Sequence, residues 1–542
     1  MVAFHVRCLA VLALAAHMSS SFIPGASPPR ATGATRRTSA LRMTASMPKA
    51  SFPKLDEVDG GEEIVEPKGS YEPWWSPMSV VQAGKWAAAP GEYFAEKQAE
   101  ADGEPVFKMH PGVASIALVD SVSGEWFFNQ PDSVLDRQGG AYFGTFSMRE
   151  EFLGKTLPAL ITNIEEGHPA IRDLLLSVTR ERLPKLEGAF AHADASFYGP
   201  EGVFGEQGLG DYRGVYSTTL RQTTHFIMEL LLGLGEEGGK PLPPFDVVEY
   251  FNIGAHHLKL DPDQPVSKAI GNMLTALALK LDMPKIDTFL EAVRSSDVYP
   301  RYQEMLAATE APVQDLDRAI AFTASFQSCV ALSTQMEFVI NMLGMDKGLL
   351  QELRDELDGK ELTLSNIDSA DAFPVLDSFF WEVLRCFPAP PFFFKVARKD
   401  LLVPAGNGKS YKVREGELVC THLPLVHLDP SGPFGADARE FVPGRFLGKP
   451  ELKKKVVAYG YPDYSSPDMG PGKPWGCVAH AAGFLTSTIK LFYARWIQEA
   501  EWTLTQTPEV DPVKFLGVVG PGTRKNEFAT LSRRAGRPSG SE

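Results

Sequence analysis

The chain has 542 residues, of which 44% are hydrophobic and 22% are charged, a composition typical of a globular protein with a large core. A formal net charge of −15 argues against a nucleic-acid binder, because such proteins need a basic face to displace phosphate counterions. The five cysteines lack CxxC spacing, so neither a zinc site nor a disulfide framework is indicated and we expect reduced thiols.

The N-terminal fifty residues contain no Asp or Glu but several Arg. Residues 8–16 form an apolar run that suits a signal-peptide core, since a bilayer span needs about 20 apolar residues. The Arg- and Ser-rich stretch over 22–43 is typical of a transit peptide. The tandem resembles the bipartite plastid presequences of algae with secondary red-lineage plastids, which implies a targeting segment over 1–50 and a plastid (chloroplast) location. A plain secretory signal, or an anchor for the secretory pathway or endoplasmic reticulum, is the alternative.

The rest of the chain predicts one mostly helical domain. Residues 318–343 lack Gly and Pro and are apolar nearly all round, which predicts a long buried helix. A second helix over 371–387 stops at prolines that cannot continue it. Residues 410–427 alternate around a Glu-Gly turn and predict a β-hairpin, and 479–502 return to helical periodicity.

The stretch GPGKPWGCVA places Cys477 at the entry to that last helix. Free N–H groups and partial positive charge at a helix start stabilise a thiolate, which can act as a ligand or a nucleophile. An isolated cysteine is more often buried and inert. Upstream, Glu382 and Arg385 lie three apart on one helix face, and Arg445 follows in the motif EFVPGRFLG.

The order of E-x-x-R helix, F-x-P-x-R-F motif and loop-Cys-helix resembles the haem-thiolate cytochrome P-450 superfamily. The resemblance implies a cytochrome P-450 fold, mainly α with a minor β region, over residues 65–542. It also implies a haem (iron protoporphyrin IX, or heme) whose iron is bound by Cys477. Glu382, Arg385 and Arg445 would then fasten the cysteine loop, whereas an E-x-x-R by itself usually means a solvated pair.

The same resemblance assigns residues to the haem propionates. His168 and Arg172 have an H-x-x-x-R spacing that puts both on one helix face, and an exposed pair at a helix start is the alternative. Lys473, four residues before the cysteine, is a further candidate, with a solvated lysine as the alternative.

The sequence departs from the pattern of P-450 monooxygenases in two places, and both indicate one particular branch of the superfamily. The loop over 458–483 is long and has no Phe at the usual place. Laying the acid-alcohol motif of monooxygenases on 323–327 puts Phe326 and Gln327 where the acid and the alcohol belong. Both features resemble the fatty-acid hydroperoxide-metabolising branch, the allene oxide synthases, hydroperoxide lyases and epoxyalcohol synthases. That branch has Phe-Asn here, and Gln327 keeps the amide; a core amide bonded to backbone is the alternative.

Aromatic residues complete the predicted site. Tyr142 or Phe143 corresponds to a ring that lies over the haem in this branch. Phe392, Phe393 and Phe394 correspond to residues that face substrate, although at least one should be strand core because strand residues alternate faces.

The resulting hypothesis is a haem-thiolate lyase or isomerase that rearranges or cleaves a lipid hydroperoxide without an external electron donor or reductase. The O–O bond would break homolytically, and the alkoxyl radical would close to an epoxyallylic radical on the way to an allene oxide, an epoxyalcohol or aldehydes. Peripheral association with plastid membranes belongs to the same hypothesis. One alternative is a monooxygenase that acts on a lipid, sterol or carotenoid with a reductase partner, and another is a haem-thiolate ligand sensor.

Overall fold

The computed structural model describes the protein over residues 63–71, 78, 81–82, 85–86, 90–110, 115–131, 133–136, 178, 181–182, 215–234, 280, 283–307, 315–326, 332–363, 366–388, 391–457, 484–504, 512 and 529–534. The helices of this part are α1 (Pro90–Glu100), α2 (Ser121–Asn129), α3 (Val215–Leu232), α4 (Tyr299–Ala307), α5 (Leu316–Phe326), α6 (Ser333–Met345), α7 (Lys347–Leu357), α8 (Pro374–Cys386), α9 (Leu423–His427), α10 (Pro450–Lys453) and α11 (Phe484–Glu499). Its strands are β1 (Glu63–Val65), β2 (Lys68–Gly69), β3 (Val106–Met109), β4 (Ser115–Leu118), β5 (Leu135–Asp136), β6 (Phe392–Ala397), β7 (Leu401–Pro404), β8 (Lys409–Val413), β9 (Leu418–His422), β10 (Ala500–Leu504) and β11 (Ala529–Arg533).

The largest core lies between helices α3, α5, α6, α8 and α11, whose inward residues are mostly Leu, Ile, Val and Phe. Aromatic rings pack against each other where the helices meet. Phe226 of α3 contacts Phe492 of α11 edge to face, at 4.8 Å between centroids. Phe338 of α6 stacks on Phe387, at the end of α8, at 4.2 Å. Helix α8 is buried along nearly its whole length in this core, and removal of its apolar surface from water stabilises it.

The two predicted helices are present. Helix α8 begins at Pro374, which suits the first turn of a helix because that turn needs no N–H donor. It ends at Cys386, just before Pro388. Of the predicted helix over 318–343, both ends are helical as α5 and α6, while 327–331 lie outside the described residues.

The strands form a six-stranded sheet in the order β2-β3-β4-β9-β6-β5, a three-stranded sheet in the order β1-β8-β7, and the pair β10-β11. In the larger sheet β6 and β9 run antiparallel, with Phe392 opposite His422 and Phe394 opposite Cys420. Strand β6 follows α8 directly, so the sheet and the core helices meet next to the E-x-x-R helix.

The predicted hairpin over 410–427 is wrong. Strands β8 and β9 both exist, but β8 pairs with β1 and β7, and β9 pairs with β4 and β6 in the other sheet. The turn between them is present, with Gly416 at a φ of +85°, and its N–H donates to the carbonyl of Ala397 at 2.8 Å. This hydrogen bond joins the turn to Ala397, the last residue of β6. Residues 423–427, which were part of the predicted hairpin, form helix α9.

Candidate active site

Helix α8 places Glu382 and Arg385 one turn apart on a buried face. Nε of Arg385 lies 2.7 Å from Oε2 of Glu382, and Nη2 lies 2.8 Å from Oε1, so the ion pair is bidentate. Both side chains have a solvent exposure of 0%. Because removing two charges from water is costly, such a pair is stable only when its remaining donors and acceptors also find partners.

The guanidinium of Arg385 finds these partners on the backbone between α9 and α10. It donates to the carbonyl oxygens of Ala438 at 2.6 Å, Glu440 at 2.9 Å and His427 at 3.2 Å. Burial by itself would lower the pKa of Arg385, but the hydrogen bonds to Glu382 and the nearby negative charges together outweigh it, and the pKa is raised. Arg385 is therefore a permanent cation that holds this segment against α8.

Arg445 brings a second guanidinium to the same carboxylate. Its Nε lies 3.2 Å from Oε2 of Glu382, and its other nitrogens donate to Oδ1 and the carbonyl oxygen of Asp437, both at 2.9 Å. The backbone N–H of Val442 donates to Oε1 of Glu382 at 2.7 Å. The structure thus brings together Glu382, Arg385 and Arg445, which we call the Glu382 cluster.

His427 extends this cluster towards the chain that leads to Cys477. Its Nδ1 lies 2.8 Å from the carbonyl oxygen of Arg385, and its Nε2 lies 2.9 Å from the backbone nitrogen of Val457. Since a carbonyl only accepts and a backbone N–H only donates, these bonds fix the neutral tautomer with hydrogen on Nδ1. Burial lowers the pKa of His427 to about 3, which keeps the ring neutral. Sequence analysis missed this residue, because a single histidine in an apolar stretch carries no recognisable signal.

Both flanks of the Cys477 segment are attached to α8. On the N-terminal side, Lys453 pairs with Asp377 of α8, and His427 binds Val457. On the C-terminal side, Nζ of Lys490 in α11 lies 2.8 Å from Oδ1 of the same Asp377, and both of these side chains are buried. Helix α8 therefore fixes the chain immediately before and after the segment over 458–483.

The two described thiols, Cys386 and Cys420, are buried in the core. Burial raises the pKa of both Cys386 and Cys420 to about 12, so each is a neutral thiol at neutral pH. Cys386 accepts from Nη2 of Arg385 at 3.1 Å, and Cys420 lies 3.7 Å from Oγ of Ser115. The anchored flanks are compatible with the predicted haem site, and the role of Cys477 as its ligand stays a prediction.

Several predicted site residues lie outside the described part of the chain, and their roles stay predictions. They are Cys477, Gln327, His168, Arg172, Lys473, Tyr142 and Phe143. Phe326 is the last residue of α5. In the described part of the chain, no group of three or more His, Cys, Asp or Glu is arranged to hold a metal ion.

The three phenylalanines of β6 face in two directions. The ring of Phe393 meets Phe128 edge to face at 5.2 Å and packs on the core of the sheet. Phe392 and Phe394 pack on the opposite face, against a cluster that contains Phe94 of α1. Strand alternation separates them in this way, so only Phe392 and Phe394 share a face, and their role in a substrate channel stays a prediction.

Comparison with known proteins identifies the family. Residues 317–461, which include the Glu382 cluster and His427, match the family model described as cytochrome P450. The chain is 45% identical to an epoxyalcohol synthase of Ectocarpus siliculosus over 466 residues, which cover 85% of this chain and 96% of that protein. The chain belongs to the cytochrome P450 family. The predicted family and the predicted haem cofactor are thus confirmed.

Two further likenesses extend this result. A mitochondrial hydroperoxide bicyclase of Ectocarpus siliculosus is 42% identical over 491 residues, which cover 89% of this chain and 93% of the bicyclase. The solved structure of retinoic acid bound cyanobacterial CYP120A1 superposes with a TM-score of 0.57 at 20% identity, covering 82% of this chain and 95% of that one. The predicted cytochrome P450 fold is confirmed.

The predicted plastid location is wrong. The bicyclase relative is named mitochondrial, which points away from a plastid. Mitochondrial and chloroplast transit peptides share an Arg- and Ser-rich, acid-poor composition, so the composition of residues 1–50 does not distinguish the two organelles. The expected association with plastid membranes is withdrawn with it. Within the described residues, no helix has the length and apolar character that crossing a membrane requires.

Proposed function

We propose that the protein is a haem-thiolate enzyme that rearranges or cleaves fatty-acid hydroperoxides, forming oxylipins without an external electron donor. The observation that carries this proposal is the identity of 45% and 42% to an epoxyalcohol synthase and a hydroperoxide bicyclase, along nearly their full lengths. The substrate and the oxidant are then the same molecule, so a reductase partner is not needed. The predicted class of enzyme is confirmed at this level.

Cys477 is proposed as the residue that would bind the haem iron, and His168, Arg172 and Lys473 would hold the propionates. When bound, the haem supplies the iron that breaks the O–O bond of the hydroperoxide. The Glu382 cluster keeps the segment before Cys477 in place, because its three side chains bind backbone atoms of residues 427–442. Cys386 and Cys420 are buried and already contact Arg385 and Ser115, so neither is proposed as the ligand.

Gln327 is proposed to orient the substrate, because its amide can donate to one peroxide oxygen and accept from a leaving hydroxyl. Phe326, which stands where monooxygenases have an acid, would not supply a proton to the peroxide. Tyr142 or Phe143 would steady a carbon radical beside its ring. Phe392 and Phe394, which share one face of β6, are the channel residues that the strand geometry favours.

The proposed domain extends over residues 65–542, behind a targeting segment at 1–50. Its support is that strands near both limits are built into the fold. Strand β1 pairs in parallel with β8, and β11 pairs with β10 next to α11. The targeting segment rests on composition alone.

Peripheral contact with a membrane is proposed through the residues that precede α1. Met78 and Val81 are helical and expose 45% and 46% of their surface, and the proposed substrate is itself a lipid. Large exposed apolar side chains in one short stretch are typical of a surface that meets lipid. The double substitution Met78→Glu and Val81→Glu should reduce co-flotation with phospholipid vesicles and leave turnover of dissolved substrate unchanged; equal flotation would contradict this contact.

The function is tested on purified haem-loaded protein with a C18 fatty-acid hydroperoxide and no NADPH. We expect rapid loss of the conjugated-diene absorbance and products, identified by mass spectrometry, that derive from O–O cleavage. Turnover that requires NADPH and a reductase would instead support a monooxygenase. A ligand-induced spectral change without any product would support a sensor. Cys386→Ser is the matched control for the thiol chemistry, because Cys386 lies next to Arg385 but is neutral.

A further inference from the structure

Four aromatic side chains pack together where α1 lies against strands β6 and β9 of the six-stranded sheet. The ring of His422 is stacked on Phe392, at 4.7 Å between centroids, and on Phe94, at 5.3 Å, while Phe94 and Phe392 are themselves 6.1 Å apart. The ring of Trp86 also packs on Phe392, at 5.2 Å. We call Trp86, Phe94, Phe392 and His422 the aromatic cage.

The cage contains buried polar atoms without partners. Among the described residues, no group hydrogen-bonds to Nδ1 or Nε2 of His422 or to Nε1 of Trp86, although all three atoms are buried. His422 has a solvent exposure of 0%. Burying an imidazole or an indole N–H without a partner costs free energy, so groups of this kind normally meet a protein group or a ligand.

The cage has a closed side and an open side. Phe94 and His422 are buried, whereas Trp86, Phe392 and Phe394 are each partly exposed. The partly exposed rings are the side from which a ligand would approach His422. Apolar rings on the exposed side and polar nitrogens on the buried side suit the hydrocarbon chain and the carboxyl group of a fatty acid, respectively.

Two lysines close to cage residues in sequence, Lys85 beside Trp86 and Lys395 on the strand of Phe392, are already engaged. Nζ of Lys85 lies 2.8 Å from Glu96, and Lys395 donates to the carbonyl of Phe127 on the opposite face of β6. The cage thus offers N–H donors from neutral rings, and one ring nitrogen that accepts. A carboxyl group is the complementary ligand, because its oxygens accept from both N–H groups and its protonated form can donate to the imidazole.

We propose that the aromatic cage is a carboxyl-binding subsite, in which His422 and Trp86 hydrogen-bond a carboxyl group of the fatty-acid substrate or of the haem. The first source rests on the proposed function. The second rests on chain order, because β6 is the first strand after α8, and α8 holds both flanks of the Cys477 segment. In either case His422 is a binding residue at the polar end of an apolar channel.

The test uses the parent, His422→Phe, Trp86→Phe and the control Phe393→Leu, all haem-loaded. Phe393 lies on the opposite face of β6, so the control probes strand packing alone. His422→Phe should fold, since an apolar ring of similar shape replaces a polar ring without described partners. The probes are the hydroxy form of a C18 hydroperoxide, which does not react, and its methyl ester. Their dissociation constants are measured from the Soret shift, and haem release is measured by transfer to apomyoglobin.

If the substrate carboxyl occupies the cage, the parent should bind the acid more tightly than the ester. His422→Phe and Trp86→Phe should then weaken binding of the acid about tenfold and leave the ester unchanged, since a hydrogen bond to a charged group contributes about that factor. If a haem propionate occupies it, both variants should release haem about tenfold faster, with acid and ester affected equally.

The proposal is overturned if both variants match the parent in acid binding, ester binding and haem release, or if Phe393→Leu produces the same changes as they do. Hydroperoxide turnover by the parent is measured in parallel. A parent without turnover contradicts the proposed function, whereas an active parent whose variants are unchanged contradicts the subsite alone.

Discussion

The imidazole of His427 joins Arg385 to Val457: its Nδ1 donates to the carbonyl of the first at 2.8 Å, and its Nε2 accepts from the N–H of the second at 2.9 Å. Arg385 is the buried cation of the Glu382 cluster, and Val457 is the last described residue before the Cys477 segment. The Glu382 cluster is therefore connected to the chain before the proposed iron ligand through the ring of His427, whose two nitrogens both form hydrogen bonds. His427 is a positioning residue, because it holds the chain that carries the ligand and not the haem itself.

Replacing His427 with Phe should destabilise the thiolate site. The change leaves the carbonyl of Arg385 and the N–H of Val457 buried without that ring, and each unpaired group costs about 1 to 3 kcal/mol. We expect a smaller share of the reduced CO complex to absorb at the thiolate position and a lower free energy of unfolding in urea. His427→Gln, whose amide can donate to one group and accept from the other, should recover most of both. Equal spectra for His427→Phe and the parent would show that Val457 does not need this anchor.

Replacing Glu382 with Ala should prevent stable haem binding. The two guanidiniums of Arg385 and Arg445 would lose their shared buried carboxylate, and breaking a buried ion pair typically costs about 3 to 5 kcal/mol. The measurement is the haem content of purified protein, with urea unfolding of what is recovered.

Asp437→Asn is the matched control for this change. Asp437 also pairs with Arg445 at 2.9 Å, but 53% of its side chain is exposed, and exposed pairs contribute about 0 to 1 kcal/mol. Its variant should keep haem. Haem-loaded Glu382→Ala protein as stable as Asp437→Asn would contradict the structural role of the cluster.

Local pattern predicts part of this site well. The pairing of Glu382 with Arg385 follows from their spacing, because residues three apart lie on one helix face. The start and end of α8 follow from its prolines. Arg445 joins the pair through a fold that brings residues sixty positions apart together, so only the family resemblance indicated it.

Partners of strands and histidines could not be predicted. The residue pattern locates β8 and β9 but does not say which strands lie beside them, and the actual neighbours include β1 and β4 from the N-terminal part of the chain as well as β6 and β7. His422 and His427 lie five residues apart, and neither belongs to a motif. Their environments are set by Phe94, Arg385 and Val457, which are distant in sequence.

Replacing Cys477 with Ser should abolish the thiolate absorption of the reduced CO complex, since a hydroxyl is not ionised at neutral pH. Cys386→Ser should keep this absorption, because burial raises the pKa of that thiol to about 12 and it is not a thiolate in the parent. The comparison is made on reduced, CO-treated protein with matched haem content. A band that survives in Cys477→Ser would assign the ligand to another cysteine, of which Cys329 would be tested next.

The stability of the protein should fall as the pH falls below about 6.5. His427 has its ordinary pKa of 6.5 in the unfolded chain and a pKa of about 3 in the folded chain, where burial lowers it. Between these values only the unfolded state binds the proton, so the contribution of His427 is complete above about 6.5 and is lost towards 3, by about 1.4 kcal/mol per pH unit. Urea unfolding at several pH values should show a shallower loss for His427→Gln. Parallel curves for parent and variant would contradict the lowered pKa.

Gln327 separates the chemistry from the fold, because its proposed role is to orient the peroxide and not to hold haem. Gln327→Leu should therefore keep the haem content and the thiolate spectrum but lose about ten- to a thousand-fold in hydroperoxide turnover, since one well-placed polar contact at a transition state contributes about 1.4 to 4 kcal/mol. Gln327→Asn keeps the amide at a shorter reach, and we expect it to stay active while the ratio of products changes. Rates and products are compared with the parent on one C18 hydroperoxide, by diene absorbance and mass spectrometry. An unchanged rate and product ratio in Gln327→Leu would make Gln327 a core amide, and the proton-delivery pair of a monooxygenase would have to be sought elsewhere in the helix.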